Sequence, residues 1–153
     1  MSKAEQYALL HAQLKSLLEG ETDRTANLAN AAALIHETFG FWWTGFYLVR
    51  GRELLLGPFQ GPVACTRIPF GKGVCGTAWE RRESVIVPDV EAFPGHIACS
   101  SLSRSEIVVP ILLGGAVVAV LDIDSREPAT FDDEDAAGLE AIATMLAELF
   151  QQA

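Results

Sequence analysis

The feature that most constrains the fold is a 15-residue uncharged run, Ile107 to Leu121, interrupted by Pro110 and by the pair Gly114-Gly115. It is too short to span a bilayer, and a glycine pair between β-branched stretches is turn chemistry, so the run reads as two strands of one hairpin. The strands extend over Ser105 to Leu113 and Ala116 to Asp124. Both faces of the second strand are apolar until Asp122, which requires cover on both sides of the sheet.

The cover is visible in the flanking sequence. Tyr7, Leu10, Leu14, Leu17 and Leu18 recur at helical spacing before Gly20, which places a helix over about residues 4 to 19. Leu28, Ala31, Ala32, Ile35 and Phe39 repeat the pattern between an N-cap at Thr22 or Asp23 and a stop at Gly40. A last helix begins at Asp132 and carries Leu139, Ile142, Met145, Leu146 and Leu149, with Asp133, Glu134 and Asp135 at its positive end. The aromatic stretch Phe41 to Val49 and the segment Glu53 to Leu56 form a second hairpin around Arg50-Gly51-Arg52. After Pro58 the chain reads as irregular, apart from a short helix over Cys75 to Arg82 and a strand over Ser84 to Val87. This order gives an α+β fold built on an antiparallel sheet, with helices from both termini on one face and the irregular region over the other. At 153 residues the whole chain, 1-153, is expected to form a single domain.

Composition narrows the partners. Twenty acidic residues against 11 Lys and Arg leave a net charge of −9, which excludes the clustered basic surface that nucleic acids and anionic membranes require. The polar start, Met1 to Gln6, lacks the apolar core of a secretory signal, so a cytoplasmic location is expected. In that compartment an odd set of three cysteines points away from a disulfide framework, leaving thiols that are buried, catalytic or metal-bound. A structural zinc site is disfavoured, because there is no C-x-x-C pair and only His96 lies near the scattered thiols.

Two levels of resemblance follow from the motifs. The stretch S-L-S-R-S-E-I-V-V-P-I-L, the glycine turn and A-V-V-A-V-L-D-I-D-S resemble a GAF domain over nearly the whole chain. Within that superfamily, G-P-V-A-C-T-R-I, G-K-G-V-C-G-T-A-W and P-G-H-I-A-C-S-S resemble the cysteine pattern of the free methionine-R-sulfoxide reductases. The resemblance implies a sheet of about six antiparallel strands with helices on one side and a ligand pocket under the cysteine loops on the other. It implies reduction of free L-methionine (R)-S-oxide with Cys99 as attacking thiol, Cys65 as the thiol that closes a disulfide with it, and Cys75 as an auxiliary or alternative resolving thiol. It also implies thioredoxin as reductant, no metal or organic cofactor, and, with the amphipathic first helix, a homodimer.

The resemblance supports Glu106 and Asp124 in activating the sulfoxide, with Asp122 beside them, and places Trp43 and Tyr47 at the pocket. Their chemistry is consistent with this. Asp122 and Asp124, two apart on a strand, share a face, and carboxylates crowded in a closed pocket raise each other's proton affinity. A carboxyl kept protonated can donate to a departing oxygen, while the cluster can also receive an α-ammonium group. Trp43 and Tyr47 share a face with Gly45 between them, leaving a gap that two rings could wall around a methyl-sulfur group. Convergence of the carboxylates carries a condition. With a strict two-residue turn at Gly114-Gly115, Glu106 faces Ile123 and points away from both aspartates, so the triad requires a bulge or an odd-length loop. Two other functions use the same features: a non-catalytic GAF sensor that binds a small ligand, and a peroxide-responsive thiol switch.

Overall fold

The computed structural model describes residues 1–96 and 102–151. Helix α1 covers Lys3–Leu18 and α2 covers Arg24–Phe39; strands β1, Trp43–Arg50, and β2, Glu53–Gln60, follow. A short strand β3, Arg67–Pro69, precedes α3, Gly73–Arg81, and β4, Val85–Val87. The hairpin strands β5, Ser105–Leu113, and β6, Ala116–Ser125, lead into α4, Asp133–Ala147. The sheet is antiparallel with strand order β3-β2-β1-β6-β5-β4, so the two hairpins meet along β1 and β6 at its centre.

Helix boundaries fall where side chains can satisfy the orphan backbone donors. Ser2 and Glu5 form a reciprocal capping box on α1, Asp23 accepts from the amide of Ala26 on α2, and Asp132 with Asp135 caps α4 in the same reciprocal way. Of the two caps the sequence offers for α2, Asp23 is the one used. The α4 cap also ties the termini together. Tyr7 donates a 2.6 Å hydrogen bond to Asp135, which also accepts from Lys3 at 2.8 Å.

Alternation along the strands splits the core in two. Phe46, Ile107, Val109, Ile111, Ala119, Leu121 and Ile123 point to one face and are buried against α1, α2 and α4. Trp43, Tyr47, Val108 and Val120 point to the other, where Val74, Cys75 and Ala78 of α3 cover them. This is the two-sided cover that the apolar hairpin demanded.

Three segments depart from the sequence expectation. Strand β2 does not end at Leu56 but runs through Pro58 to Gln60, because Gly57 and Pro58 together oppose Phe46 in a bulge, where a proline costs no ladder hydrogen bond. Strand β3 lies in a stretch expected to be irregular; three residues paired to Glu53–Leu55 are too few to show a period. The 105–125 hairpin keeps its two-residue turn, with Leu113 opposite Ala116 and both turn glycines at positive φ, yet its register shifts farther in. Leu112 pairs with Val117 and Ile111 with Ala119, so Val118 is an extra residue. Beyond that bulge Val108 faces Asp122 and Glu106 faces Asp124.

Candidate active site

The Val118 bulge sets the chemistry of the exposed end of the sheet. By moving β6 on by one residue, it puts Glu106 on the same face as Asp122 and Asp124. β1 adds to that face: Trp43 pairs with Asp124, Gly45 with Asp122 and Tyr47 with Val120. Three carboxyl groups from two strands and two aromatic rings from a third therefore line one chamber.

The chamber has a volume of about 50 Å³ and is walled by Trp43, Tyr47, Cys75, Glu106, Asp122 and Asp124, with Val63, Ala64 and His96 on the loop side. A site for one water needs about 10–15 Å³ on this measure, so the volume suits a few waters.

Its electrostatics follow from burial. Burial, then repulsion from Asp122 and Asp124, pushes the Glu106 carboxyl well above the usual carboxylate range. Burial and Asp122 do the same to Asp124, partly offset by the Ser103 hydroxyl, which donates to Asp124 Oδ1 at 3.1 Å. Asp122 is also raised by burial, but hydrogen bonds from Glu106 and Cys75 and the nearby His96 pull against that rise. The three thus divide into two groups that hold protons and one, Asp122, that gives its proton up first. The Oδ1 atom of Asp122 is buried with no hydrogen-bond donor when Glu106 is ionised, which a proton on the neighbouring carboxyl would remedy.

The aromatic wall differs from expectation in one respect. Gly45 does not leave a gap between the rings, because the Trp43 ring lies over it. A Cβ on Gly45 would stand 2.6 Å from the end of the Trp43 ring and 2.4 Å from Cβ of Phe59. Trp43 is stacked between Phe59, with ring centres 5.1 Å apart, and Tyr47, 5.9 Å apart, and its indole N–H donates to the Pro62 carbonyl. The glycine is where the ring rests; the open space lies above the carboxyls.

The thiols occupy different environments. Cys75 is a free, buried thiol on α3, and burial together with Asp122, Glu106 and Asp124 pushes its proton affinity well up. Gly76 beside it is required by close approach, since a Cβ there would sit 2.7 Å from the Pro69 carbonyl oxygen; this contact presses α3 onto the sheet. Cys65 lies between β2 and β3 and is disulfide-bonded, and its carbonyl accepts a 2.9 Å hydrogen bond from the Tyr47 hydroxyl. Cys99, expected as the attacking thiol, lies outside the described residues. His96 and Ser103 belong to the site without having been singled out as site residues. Ser103 had a signal, its place three residues before Glu106 at the mouth of the hairpin; His96 had only its nearness to Cys99.

Among the described residues no helix is long and apolar enough to cross a membrane. A curled six-stranded antiparallel sheet, helices on one face and a lined chamber on the other, defines a GAF domain, and the GAF domain family model matches residues 21–151. The GAF domain-containing protein A of Dictyostelium discoideum is 56% identical over 95% of this chain and 92% of its own length. The free methionine-R-sulfoxide reductase of Escherichia coli K12 is 47% identical over 95% of this chain and 89% of its own. An X-ray structure of free methionine-R-sulfoxide reductase from Neisseria meningitidis in complex with its substrate superposes with a TM-score of 0.96 at 54% identity, covering 99% of this chain and 92% of that one. The chain belongs to the GAF domain family and, within it, to the free methionine-R-sulfoxide reductases.

Proposed function

We propose that this protein reduces free L-methionine (R)-S-oxide to L-methionine, using Cys99 and Cys65 as the redox pair and thioredoxin as the external dithiol. The observation that carries the reading is the convergence of Glu106, Asp122 and Asp124 beneath Trp43 and Tyr47, two of the carboxyls holding protons through burial and mutual repulsion. A sulfoxide oxygen is a good acceptor, and a carboxyl that stays protonated near neutral pH can donate to it and make the sulfur electrophilic. Asp122, the readiest of the three to ionise, suits the α-ammonium group that a free amino acid has and a peptide-bound residue lacks. The Trp43 and Tyr47 rings suit the methyl-sulfur end.

The electrons balance through the thiols. The Cys99 thiolate attacks the sulfoxide sulfur while a protonated carboxyl gives its proton to the oxygen; the hydroxyl then passes to the Cys99 sulfur as the transient sulfur–sulfur bond breaks, methionine leaves with that electron pair, and Cys99 is left as a sulfenic acid. The Cys65 thiol then attacks that sulfur, water departs, and a disulfide forms that a thioredoxin dithiol reduces by exchange. Two observations support this pairing: Cys65 is disulfide-bonded and Cys75 is free, in a chain with one further cysteine. Cys75 acts beneath the pocket as an auxiliary thiol, since burial among carboxyls makes it a poor thiolate. The chemistry needs no metal or organic cofactor, the chain works as one unit over 1-153, and the thioredoxin-reducing cytoplasm suits it.

The deciding assay is steady-state turnover with thioredoxin on both sulfoxide epimers, free and peptide-bound, with mass spectrometry after a single exposure to substrate. Turnover restricted to the free R epimer, a mass loss of two hydrogens, and no turnover in Cys99→Ser are expected. A sensor would bind without a mass change, and full multiple turnover in Cys99→Ser would refute the assignment of the nucleophile.

A further inference from the structure

We propose that Ser103 is a positioning residue: by holding one oxygen of Asp124, it leaves Glu106 as the carboxyl that delivers the proton to the sulfoxide oxygen. The delivery half rests on the reductase reading; the hold on Asp124 does not. Ser103 is 9% exposed and lines the chamber, and its hydroxyl donates to Asp124 Oδ1 at 3.1 Å. Both ends of that bond are braced. The amide of Arg104, the next residue, donates to the Ser125 carbonyl at 2.7 Å, and the Arg104 carbonyl accepts from the amide of Val90 at 3.0 Å. Asp124 is paired on both sides of its strand, to Trp43 of β1 and to Glu106 of β5. Only side-chain torsions remain free, and the hydroxyl restricts those of Asp124.

The three carboxyls differ in the donors that reach them. Asp124 accepts from Ser103 and Glu106, and Asp122 accepts from Glu106 and Cys75. Glu106 is the hydrogen-bond partner of both aspartates. A carboxylate served by donors is the better anion, so a proton shared in this cluster settles on Glu106. The asymmetry between Glu106 and Asp124 depends on one hydroxyl. Without it Asp124 keeps its burial and the repulsion from Asp122, but loses the donor that comes from outside the carboxyl cluster. The proton would then divide between Glu106 and Asp124, and the fraction on the delivering group would fall.

The test reads both halves. Carbon-13 NMR follows the Asp124 carboxyl in Glu106→Gln, where its titration is freed from that of Glu106, and in Glu106→Gln with Ser103→Ala. Its midpoint should rise by ~1 pH unit when the hydroxyl is removed. Separately, the single-turnover rate of methionine formation is followed against pH in the wild type and in Ser103→Ala. The rate falls at high pH as the donor loses its proton; in Ser103→Ala that fall should move upward in pH, with the plateau rate ~2-fold lower or less. The other titratable groups that line the chamber, Glu106, Asp122, Cys75, Tyr47 and His96, are the same in both proteins, so the shift reports the lost hydroxyl. A purely structural role would lower the rate equally at every pH and lower the melting temperature. An unshifted Asp124 midpoint, or a pH profile of unaltered shape, would overturn the proposal. A wild type that turns over no free sulfoxide would sink the reductase reading and the delivery step with it, while a shifted midpoint would still uphold the hold on Asp124.

Discussion

Replacing Gly45 by alanine is the sharpest test of how the aromatic wall is built. If the glycine left a gap, a methyl group there would be neutral or mildly stabilising, because glycine inside a strand costs about 0.5–1 kcal/mol relative to alanine. The structure leaves no such room: the new Cβ would stand 2.4 Å from Cβ of Phe59 and 2.6 Å from the Trp43 ring. The ring could tilt away, but the Phe59 Cβ is fixed to the backbone of β2, directly paired with Gly45. Relief therefore requires β1 and β2 to part or shear locally. Overpacking of this kind costs about 1–3 kcal/mol, and a backbone-anchored clash belongs at the upper end. Subtracting the gain from removing glycine leaves about 2 kcal/mol of net destabilisation, or about 4–8 °C in melting temperature for a chain of this size. Thermal melts followed by circular dichroism read this directly, and a rise in KM for the sulfoxide should accompany it as Trp43 is displaced. A Gly45→Ala protein melting within about 1 °C of the wild type, with unchanged KM, would refute the packing argument.

Stability should fall as pH rises. Glu106 and Asp124 hold protons in the folded state that the unfolded chain releases near pH ~4, so their contribution is complete below that value and is lost as pH climbs through their raised folded values. Glu106→Gln removes one of these groups, so its melting temperature should drop less between pH 5 and pH 8 than the wild type's while turnover collapses; identical pH profiles would contradict the assigned burial. Deleting Val118 should leave Glu106 opposite Asp124, because the extra residue has no partner and its removal makes the ladder regular. Such a deletion variant should stay folded and active at a cost below about 2 kcal/mol for the half-buried side chain; a folded but inactive protein would show that the bulge does more than set register.

Most of the scaffold was legible because it rests on periodicity. Leu10, Leu14, Leu28 and Ile35 mark helices by spacing alone, and all four are fully or almost fully buried. The convergence of the carboxyls was legible only as a condition. Counting from the glycine turn puts Glu106 on the wrong face, and the bulge that corrects this sits at Val118, in a run of small apolar residues, Ala-Val-Val-Ala-Val, with no glycine or polar residue to mark an extra one. Pro110 pointed to an irregularity nearby but is itself paired, with Val120. The end of β2 was hidden because proline forbids a regular ladder yet is accepted in a bulge. Trp43's resting place on Gly45 was misread because spacing says which residues share a face, not which way a large ring folds down on it.

Tyr47 spans two tasks that are otherwise kept apart. Its ring is part of the wall beside Trp43, while its hydroxyl grips the main chain at Cys65. Anything that pushes the ring tugs on the loop that carries Cys65, and any rearrangement of that loop tilts the ring. Occupancy of the chamber and the placement of the Cys65 main chain are therefore mechanically geared to each other through a single phenol.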